Sequence, residues 1–215
     1  MRLLHLDSGA RRGSFSRRLS AAFAETWRAT APDAGYTYRD LAAQPVPHIG
    51  EDWTRICDTV LRLGITEPER LAEAVTTDAE RAAWNVVEPL LNELISADVL
   101  LIGTPMYNYS VPSALKAWLD QVTFPKVSLA GRSIVVASAR GGSYLPGAPK
   151  APFDHQESYL RDFFAGHFFI EDVTFVHAEW SNALVDPLLG RHVADQEASF
   201  AGALARIRAL AEEKA

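Results

Sequence analysis

The sequence lacks the cysteines that cross-link a chain or bind metal, and it lacks the long apolar runs that anchor a protein in a membrane. Cys57 is the only cysteine among 215 residues, so no internal disulfide can form and no cysteine cluster can hold a metal or an iron–sulfur centre. No apolar run approaches the ~20 residues needed to cross a bilayer. Met1–Leu6 is too short for the apolar part of a signal peptide. These absences predict a cytoplasmic protein without a membrane segment.

Basic charge is also scarce, but it is unevenly distributed. A net charge of −6 argues against nucleic-acid binding. Residues 1–40 nevertheless contain seven Arg against four acidic residues, and four of these Arg flank one Gly/Ser loop. We expect an anion at this loop, with Arg17 or Arg18 adding charge. The alternative is a solvated, basic start of a helix.

The apolar pattern predicts a single α/β domain over residues 1–215. Strands are predicted at Leu3–Asp7, Tyr36–Asp40, Val99–Gly103, Ser133–Ser138 and Asp172–Ala178. Helices are predicted at Phe15–Thr30, Trp53–Leu63, Glu67–Val75, Thr77–Ser96, Val111–Leu119 and His192–Leu210. A capping box at 77–80 opens one of these helices, and Pro89 is expected to kink or divide it. Strands alternating with helices predict a doubly wound parallel sheet.

Three polar loops follow predicted strands, and so they meet at one edge of the sheet. The first, Asp7–Ser16, runs into a helix N-terminus, which favours an anion. It has neither the Gly-Lys-Ser/Thr of a Walker motif nor Gly-x-Gly-x-x-Gly. Alternatively, Ser14 is only a helix cap.

The other two loops suit a flat ligand. Pro105–Tyr109 supplies a thioether, two aromatic rings and the amide of Asn108, which both donates and accepts hydrogen bonds. In Ala139–Gly142, paired glycines allow the main chain to approach a ligand without Cβ collisions. The alternatives are plain packing for the two tyrosines and a turn with positive φ for the glycines.

In this order the three loops resemble the FMN-dependent NADH-azoreductases and NAD(P)H:quinone oxidoreductases of flavodoxin-like fold. Tyr109 stands where that family has Phe, and weaker matches follow at Tyr159–Leu160 and Asp172–Glu179. The resemblance implies strand order 2-1-3-4-5, helices on both faces of the sheet, bound FMN, and a homodimer with the site at the interface. It also implies ping-pong transfer of a hydride from NADH or NADPH to quinones or azo compounds.

The resemblance assigns roles to particular residues. The FMN-binding residues would be Ser8, Ser14, Phe15, Ser16, Pro105, Met106, Tyr107, Asn108, Tyr109, Ala139, Arg140, Gly141 and Gly142. No protein nucleophile is expected, because flavin N5 takes the hydride. Tyr144 and His155 are candidates to line the substrate space. The segment 120–131 is shorter than in the family, so we expect a more open pocket.

Two other functions remain open from the sequence. One is an FMN reductase or a nitroreductase-like enzyme. The other is a non-enzymatic electron carrier of flavodoxin type, which would pass one electron at a time and would not consume NADH directly.

Overall fold

Five parallel strands form the centre of the molecule. The computed structural model describes all 215 residues. The strands are β1 Arg2–Asp7, β2 Gly35–Asp40, β3 Val99–Pro105, β4 Ser133–Ala139 and β5 Val173–Ala178. They lie in the order β2-β1-β3-β4-β5, and every neighbouring pair is parallel. The predicted doubly wound sheet and its strand order are therefore confirmed.

Six α-helices surround the sheet. They are α1 Phe15–Thr30, α2 Glu51–Leu63, α3 Asp78–Ser96, α4 Ser113–Val122, α5 His155–Phe168 and α6 Val193–Lys214. Pro89 lies inside α3 and does not divide it. The predicted capping box is present, since Thr77 and Glu80 each accept a hydrogen bond from the other's backbone N–H. The segment predicted as a helix at Glu67–Val75 is a 3₁₀ helix, Pro68–Ala74.

Helix α5 was not predicted from the sequence, although its start carries a recognisable signal. The Asp154 carboxylate accepts hydrogen bonds from the backbone N–H groups of Gln156 and Glu157, at 3.2 and 3.0 Å. This is an ordinary N-cap. Apolar and polar residues do not alternate cleanly at helical spacing between 155 and 168, which is why the pattern was missed.

The core has two parts, one on each face of the sheet. Helices α1 and α6 cover one face, where Leu3 and Leu101 of the strands are buried. The larger part lies on the other face, where Leu4 and Ile102 pack against helices α2 to α5. Consecutive strand residues therefore point into different halves of the core, as expected for strands covered on both sides. No helix is long and apolar enough to cross a membrane.

A close approach at Gly103 brings α1 against the end of the sheet. A Cβ added at Gly103 would lie 2.0 Å from Oδ1 of Asp7 and 2.6 Å from Oγ of Ser20. Ser20 lies on α1 and donates a hydrogen bond to the same Asp7 oxygen at 2.8 Å. The backbone N–H of Ser8 donates to the Gly103 carbonyl at 2.9 Å. Because residue 103 has no side chain, Asp7 and Ser20 can lie directly against its main chain, and these contacts position the start of the first loop.

We expect Gly103→Ala to destabilise the fold by about 1–3 kcal/mol, because the methyl group would displace a buried, hydrogen-bonded carboxylate. Gly202→Ala is the matched control. It lies on the exposed side of α6 with no atom near the added Cβ, and it should stabilise by about 0.5–1 kcal/mol. Urea unfolding followed by circular dichroism measures both. Equal stability of the two variants would contradict the close approach.

Candidate functional site

A cleft of about 790 Å³ opens at the carboxyl ends of β1, β3 and β4. This is the edge at which doubly wound sheets bind ligands. The predicted site residues that line it are Ser14, Phe15, Pro105, Met106, Tyr107, Asn108, Tyr109, Ala139, Gly141, Gly142 and Tyr144. Of the other lining residues, Arg11 and Gly13 lie within the predicted first loop without having been assigned a role, whereas sequence reasoning missed Lys150, Ser181, Asn182 and Val185. The lining contains two cationic side chains and no carboxylate.

The first loop has backbone donors without a partner at the start of α1, where Ser14 and Phe15 line the cleft. Ser14 caps α1, and the N–H groups of Phe15 and Ser16 make no hydrogen bond within the chain. A Cβ added at Gly9 would lie 3.0 Å from Oγ of Ser14, so the loop is tightly wound. Two predicted residues lie behind it: Ser16 is fully buried, and Ser8 donates to Oγ1 of Thr104 at 2.9 Å. The cap and the two free N–H groups fit an anion such as a phosphate.

Arg17 shapes this loop from behind. Its guanidinium donates twice to the Gly9 carbonyl, at 3.0 and 2.8 Å, and forms a bidentate ion pair with Asp40. That hydrogen-bonded pair raises the pKa of Arg17 and lowers the pKa of Asp40. Arg18 lies over the ring of Phe200. Neither Arg17 nor Arg18 lines the cleft, and the guanidinium of Arg17 is already paired with Asp40, whereas the arginine that does line the cleft is Arg11.

The second loop is a tight turn with an unusual backbone. The N–H groups of Tyr107 and Ser110 each donate to the other's carbonyl at 3.0 Å. Between them, Asn108 and Tyr109 both have positive φ, of 48° and 68°. Asn tolerates this conformation, whereas for Tyr it stores strain of order 1–3 kcal/mol. The turn aims the Asn108 amide outward, and that amide has no partner within the chain.

The third loop is held by the segment that follows β5. The carbonyls of Arg140, Gly141 and Gly142 accept hydrogen bonds from the N–H groups of residues 180–182. The N–H groups of Gly141 and Gly142 have no partner within the chain. Neither glycine has positive φ, so the alternative of a left-handed turn is wrong. A Cβ at Gly141 would instead meet Nδ2 of Asn182 at 2.7 Å.

The Arg140 side chain is turned away from the cleft. It is 2% exposed, and its Nη2 lies 2.7 Å from Oδ2 of Asp154, while Nη1 lies 3.8 Å from Oε1 of Glu179. Glu179 in turn accepts hydrogen bonds from Oγ of Ser143 and from the N–H of Tyr144, at 2.6 and 2.8 Å. Arg140 was predicted to bind the cofactor. With its side chain buried, it can do so only through main-chain atoms, while the guanidinium holds neighbouring residues in place.

Glu157 closes this network on the α5 side. Its Oε2 lies 3.6 Å from Nη2 of Arg140 and 2.8 Å from Nε2 of His177. The hydrogen bond from His177, helped by one from Arg161, lowers the pKa of Glu157 to about 2. The carboxylate is therefore ionised at neutral pH and shares the Arg140 charge.

We expect Arg140→Met to destabilise the protein by about 3–5 kcal/mol, because it leaves the buried Glu179 carboxylate and the partly buried Asp154 carboxylate without their counter-charge. Arg161→Met is the control. It removes an exposed partner of Glu157 on the same helix and should cost less than about 1 kcal/mol. Urea unfolding monitored by circular dichroism reports both values. A loss at Arg140 no larger than at Arg161 would mean that the buried network contributes nothing.

The remaining predicted residue, His155, does not line the cleft. It is the first residue of α5, and its N–H donates to the Tyr109 carbonyl at 3.1 Å. The short segment after α4 does not line it either, since Phe124, Val127 and Leu129 are buried in the core. No group of three or more His, Cys, Asp and Glu side chains is placed to hold a metal ion.

The donor set of the cleft fits FMN. Free N–H groups at the start of α1 and the nearby Arg11 suit a phosphate, and the Tyr107–Tyr109 turn suits a flat ring. The amide of Asn108 and the unpaired N–H groups of Gly141 and Gly142 suit the polar edge of an isoalloxazine. No carboxylate in the lining would repel the phosphate.

Comparisons with known proteins agree with this fold. A family model described as a flavodoxin-like fold matches residues 1–209. An FMN-dependent NADH:quinone oxidoreductase of Nocardia farcinica (strain IFM 10152) is 62% identical over 211 residues, which cover 98% of each chain. One of Parafrankia sp. (strain EAN1pec) is 40% identical, over 97% of this chain and 99% of the relative.

Solved structures show the same architecture. The azoreductase AzrA superposes with a TM-score of 0.81 at 20% identity, over 99% of this chain and 100% of that one. An FMN-dependent NADH-azoreductase from Bacillus anthracis str. Ames Ancestor, in complex with FMN, gives 0.75 at 19% identity, over 98% and 100%. At such identity the superposition establishes the fold, and the sequence matches establish the relationship. The chain therefore belongs to the flavodoxin-like family that includes the FMN-dependent NADH:quinone oxidoreductases.

Proposed function

We propose that this protein is an FMN-dependent NADH:quinone oxidoreductase that also reduces azo compounds. The observation that carries the proposal is the cleft at the carboxyl edge of the sheet, which joins an anion-binding helix start to a strained aromatic turn and a glycine loop with free N–H groups. The relative from Nocardia farcinica, similar over nearly its whole length, is named as an FMN-dependent NADH:quinone oxidoreductase.

Each loop has a defined task in this proposal. Ser14, the N–H groups of Phe15 and Ser16, and Arg11 hold the phosphate of FMN. Met106 and Tyr107 lie against the ring, and the Asn108 amide pairs with its pyrimidine edge. The N–H groups of Gly141 and Gly142 donate to the same edge, where reduction places negative charge. FMN held in this way would supply the two-electron redox chemistry that links the nicotinamide to the acceptor.

The chain contributes orientation rather than a nucleophile. Tyr109 and Tyr144 border the mouth of the cleft with ring centroids 6.4 Å apart, and both suit a planar acceptor. Donor and acceptor would occupy this one space in turn, so we expect ping-pong kinetics. Hydride transfer from NADH and uptake of one proton from solvent convert a quinone to its hydroquinone.

Visible spectroscopy and flavin analysis test the proposal directly. Purified protein should carry or take up FMN, identified after denaturation, and should oxidise NADH when a quinone is supplied. Stopped-flow mixing with NADH should bleach the flavin in one fast two-electron step. Slow bleaching would favour the electron carrier, and free reduced flavin as the product would favour an FMN reductase. Release of FAD, or failure to bind any flavin, would refute the proposal.

We expect Ser14→Asp to weaken FMN binding more than tenfold, because it places a negative charge beside the phosphate in a partly desolvated loop. Asp caps helices as well as Ser does, so the fold should be retained. Ser14→Asn, an uncharged cap of the same shape as Asp, is the control and should weaken binding much less. Quenching of flavin fluorescence gives both dissociation constants. Equal affinities would remove this loop from the phosphate site.

We also propose that the whole chain is one FMN-binding domain that works in the cytoplasm, where NADH is supplied, as a homodimer with the site at its interface. Three exposed apolar side chains support the dimer: Tyr109, Phe153 and Leu145 are 45%, 49% and 57% exposed beside the cleft. Patches of this kind at the edge of a site commonly mark an interface, and symmetric dimers are the commonest homo-oligomers. Light scattering after size-exclusion chromatography determines the oligomeric state.

A further inference from the structure

Lys150 is a charged residue of the cleft that sequence reasoning did not assign. It follows the Ser143–Pro149 segment and lies against the glycine loop. Its Nζ and Cδ each lie 3.7 Å from the position of a Cβ added at Gly142. The ammonium group therefore lies beside the main chain of Gly142, and the N–H group of that residue has no partner within the chain.

No carboxylate neutralises Lys150. It makes no ion pair, and the lining of the cleft contains no Asp or Glu. Asp154, which caps α5, and Glu179, which follows β5, are already paired with the Arg140 side chain. Arg11, the other cation of the lining, belongs to the opposite end, beside Gly13 and Ser14. The cleft thus has one positive charge beside the first loop and one beside the third loop.

We propose that Lys150 contacts the pyrimidine edge of FMN and raises its reduction potential. This inference rests on the proposed function and on the glycine loop facing that edge. A hydride brings two electrons and one proton, so reduced FMN carries one more negative charge than oxidised FMN until a second proton arrives. An unpaired ammonium beside this edge favours the reduced form over the oxidised one.

The geometry distinguishes this role from a structural one. The Lys150 side chain is exposed and takes part in no hydrogen bond or ion pair, so replacing it removes no polar interaction from the fold, and the backbone carbonyl that accepts from Phe153 stays in place. The free N–H groups of Gly141 and Gly142 supply fixed dipoles to the same edge, but they bring no net charge. Lys150 would add a net positive charge, and this charge would stabilise reduced FMN more than oxidised FMN.

The test compares Lys150→Met and Lys150→Arg with the wild-type holoenzyme. Lys126→Met is the control, because it removes an exposed lysine that does not line the cleft. Equilibration with a reference dye measures the two-electron potential of bound FMN, and fluorescence titration measures the affinity for oxidised FMN. Melting temperatures check that each variant is folded.

We expect Lys150→Met to reduce the preference for reduced over oxidised FMN at least tenfold, which lowers the potential by about 30 mV. Affinity for oxidised FMN should change less than threefold. Lys150→Arg should retain most of the wild-type potential, and Lys126→Met should retain all of it.

Three results would overturn the inference. An unchanged potential in Lys150→Met would show that the ammonium does not contact the flavin edge. An equal loss of affinity for both redox forms would place Lys150 at the phosphate instead. A rise in KM for NADH with an unchanged potential would place it against the donor. Failure of the wild-type protein to bind FMN would be a different result, because it would refute the proposed function itself.

Discussion

The ion pair between Arg140 and Asp154 joins the parts of the cleft that are far apart in sequence. Asp154 accepts hydrogen bonds from two N–H groups at the start of α5 while its carboxylate contacts the Arg140 guanidinium. The first two residues of α5 contact the second loop. The N–H of His155 binds the Tyr109 carbonyl, and Nε2 of Gln156 donates to the Pro105 carbonyl at 2.8 Å. A single buried charge therefore fixes the second and third loops relative to each other.

This arrangement explains how the chain keeps Tyr109 in a strained conformation. Positive φ at a non-glycine residue persists only where surrounding contacts hold it. Here the hydrogen bond from His155 fixes the carbonyl, and the rings of Tyr144 and Phe153 lie 6.4 and 5.6 Å from the Tyr109 ring. Because α5 supports the turn, the Asn108 amide is held outward before any ligand arrives. Preorganisation of this kind lowers the entropy that binding would otherwise cost.

The sequence was sufficient to predict the sheet, because β1, β3 and β4 are short apolar runs that end in polar loops, and the more polar β2 fits the edge of the sheet. It also located most of the cleft, since the loops after β1, β3 and β4 must meet at one edge. It could not tell which way side chains point. Arg17 and Arg140 both flank ligand-binding loops, yet each turns inward to a carboxylate more than ten residues away in sequence. Asn182 was missed for the same reason, because its pairing with Gly141 spans the whole of α5 and β5.

The inward arginines also resolve an apparent conflict between an anion site and a net charge of −6. Arg17 and Arg140 each compensate acids that lie close behind the loops, namely Asp7 and Asp40 in one case and Asp154, Glu157 and Glu179 in the other. Charges on the outer surface are screened within about 8 Å at physiological ionic strength. The field inside the cleft is therefore set by the groups that line it, and those are Arg11, Lys150 and backbone N–H groups. Because Arg17 and Arg140 neutralise the acids behind the loops, the charges of Arg11 and Lys150 remain available to a ligand in the cleft.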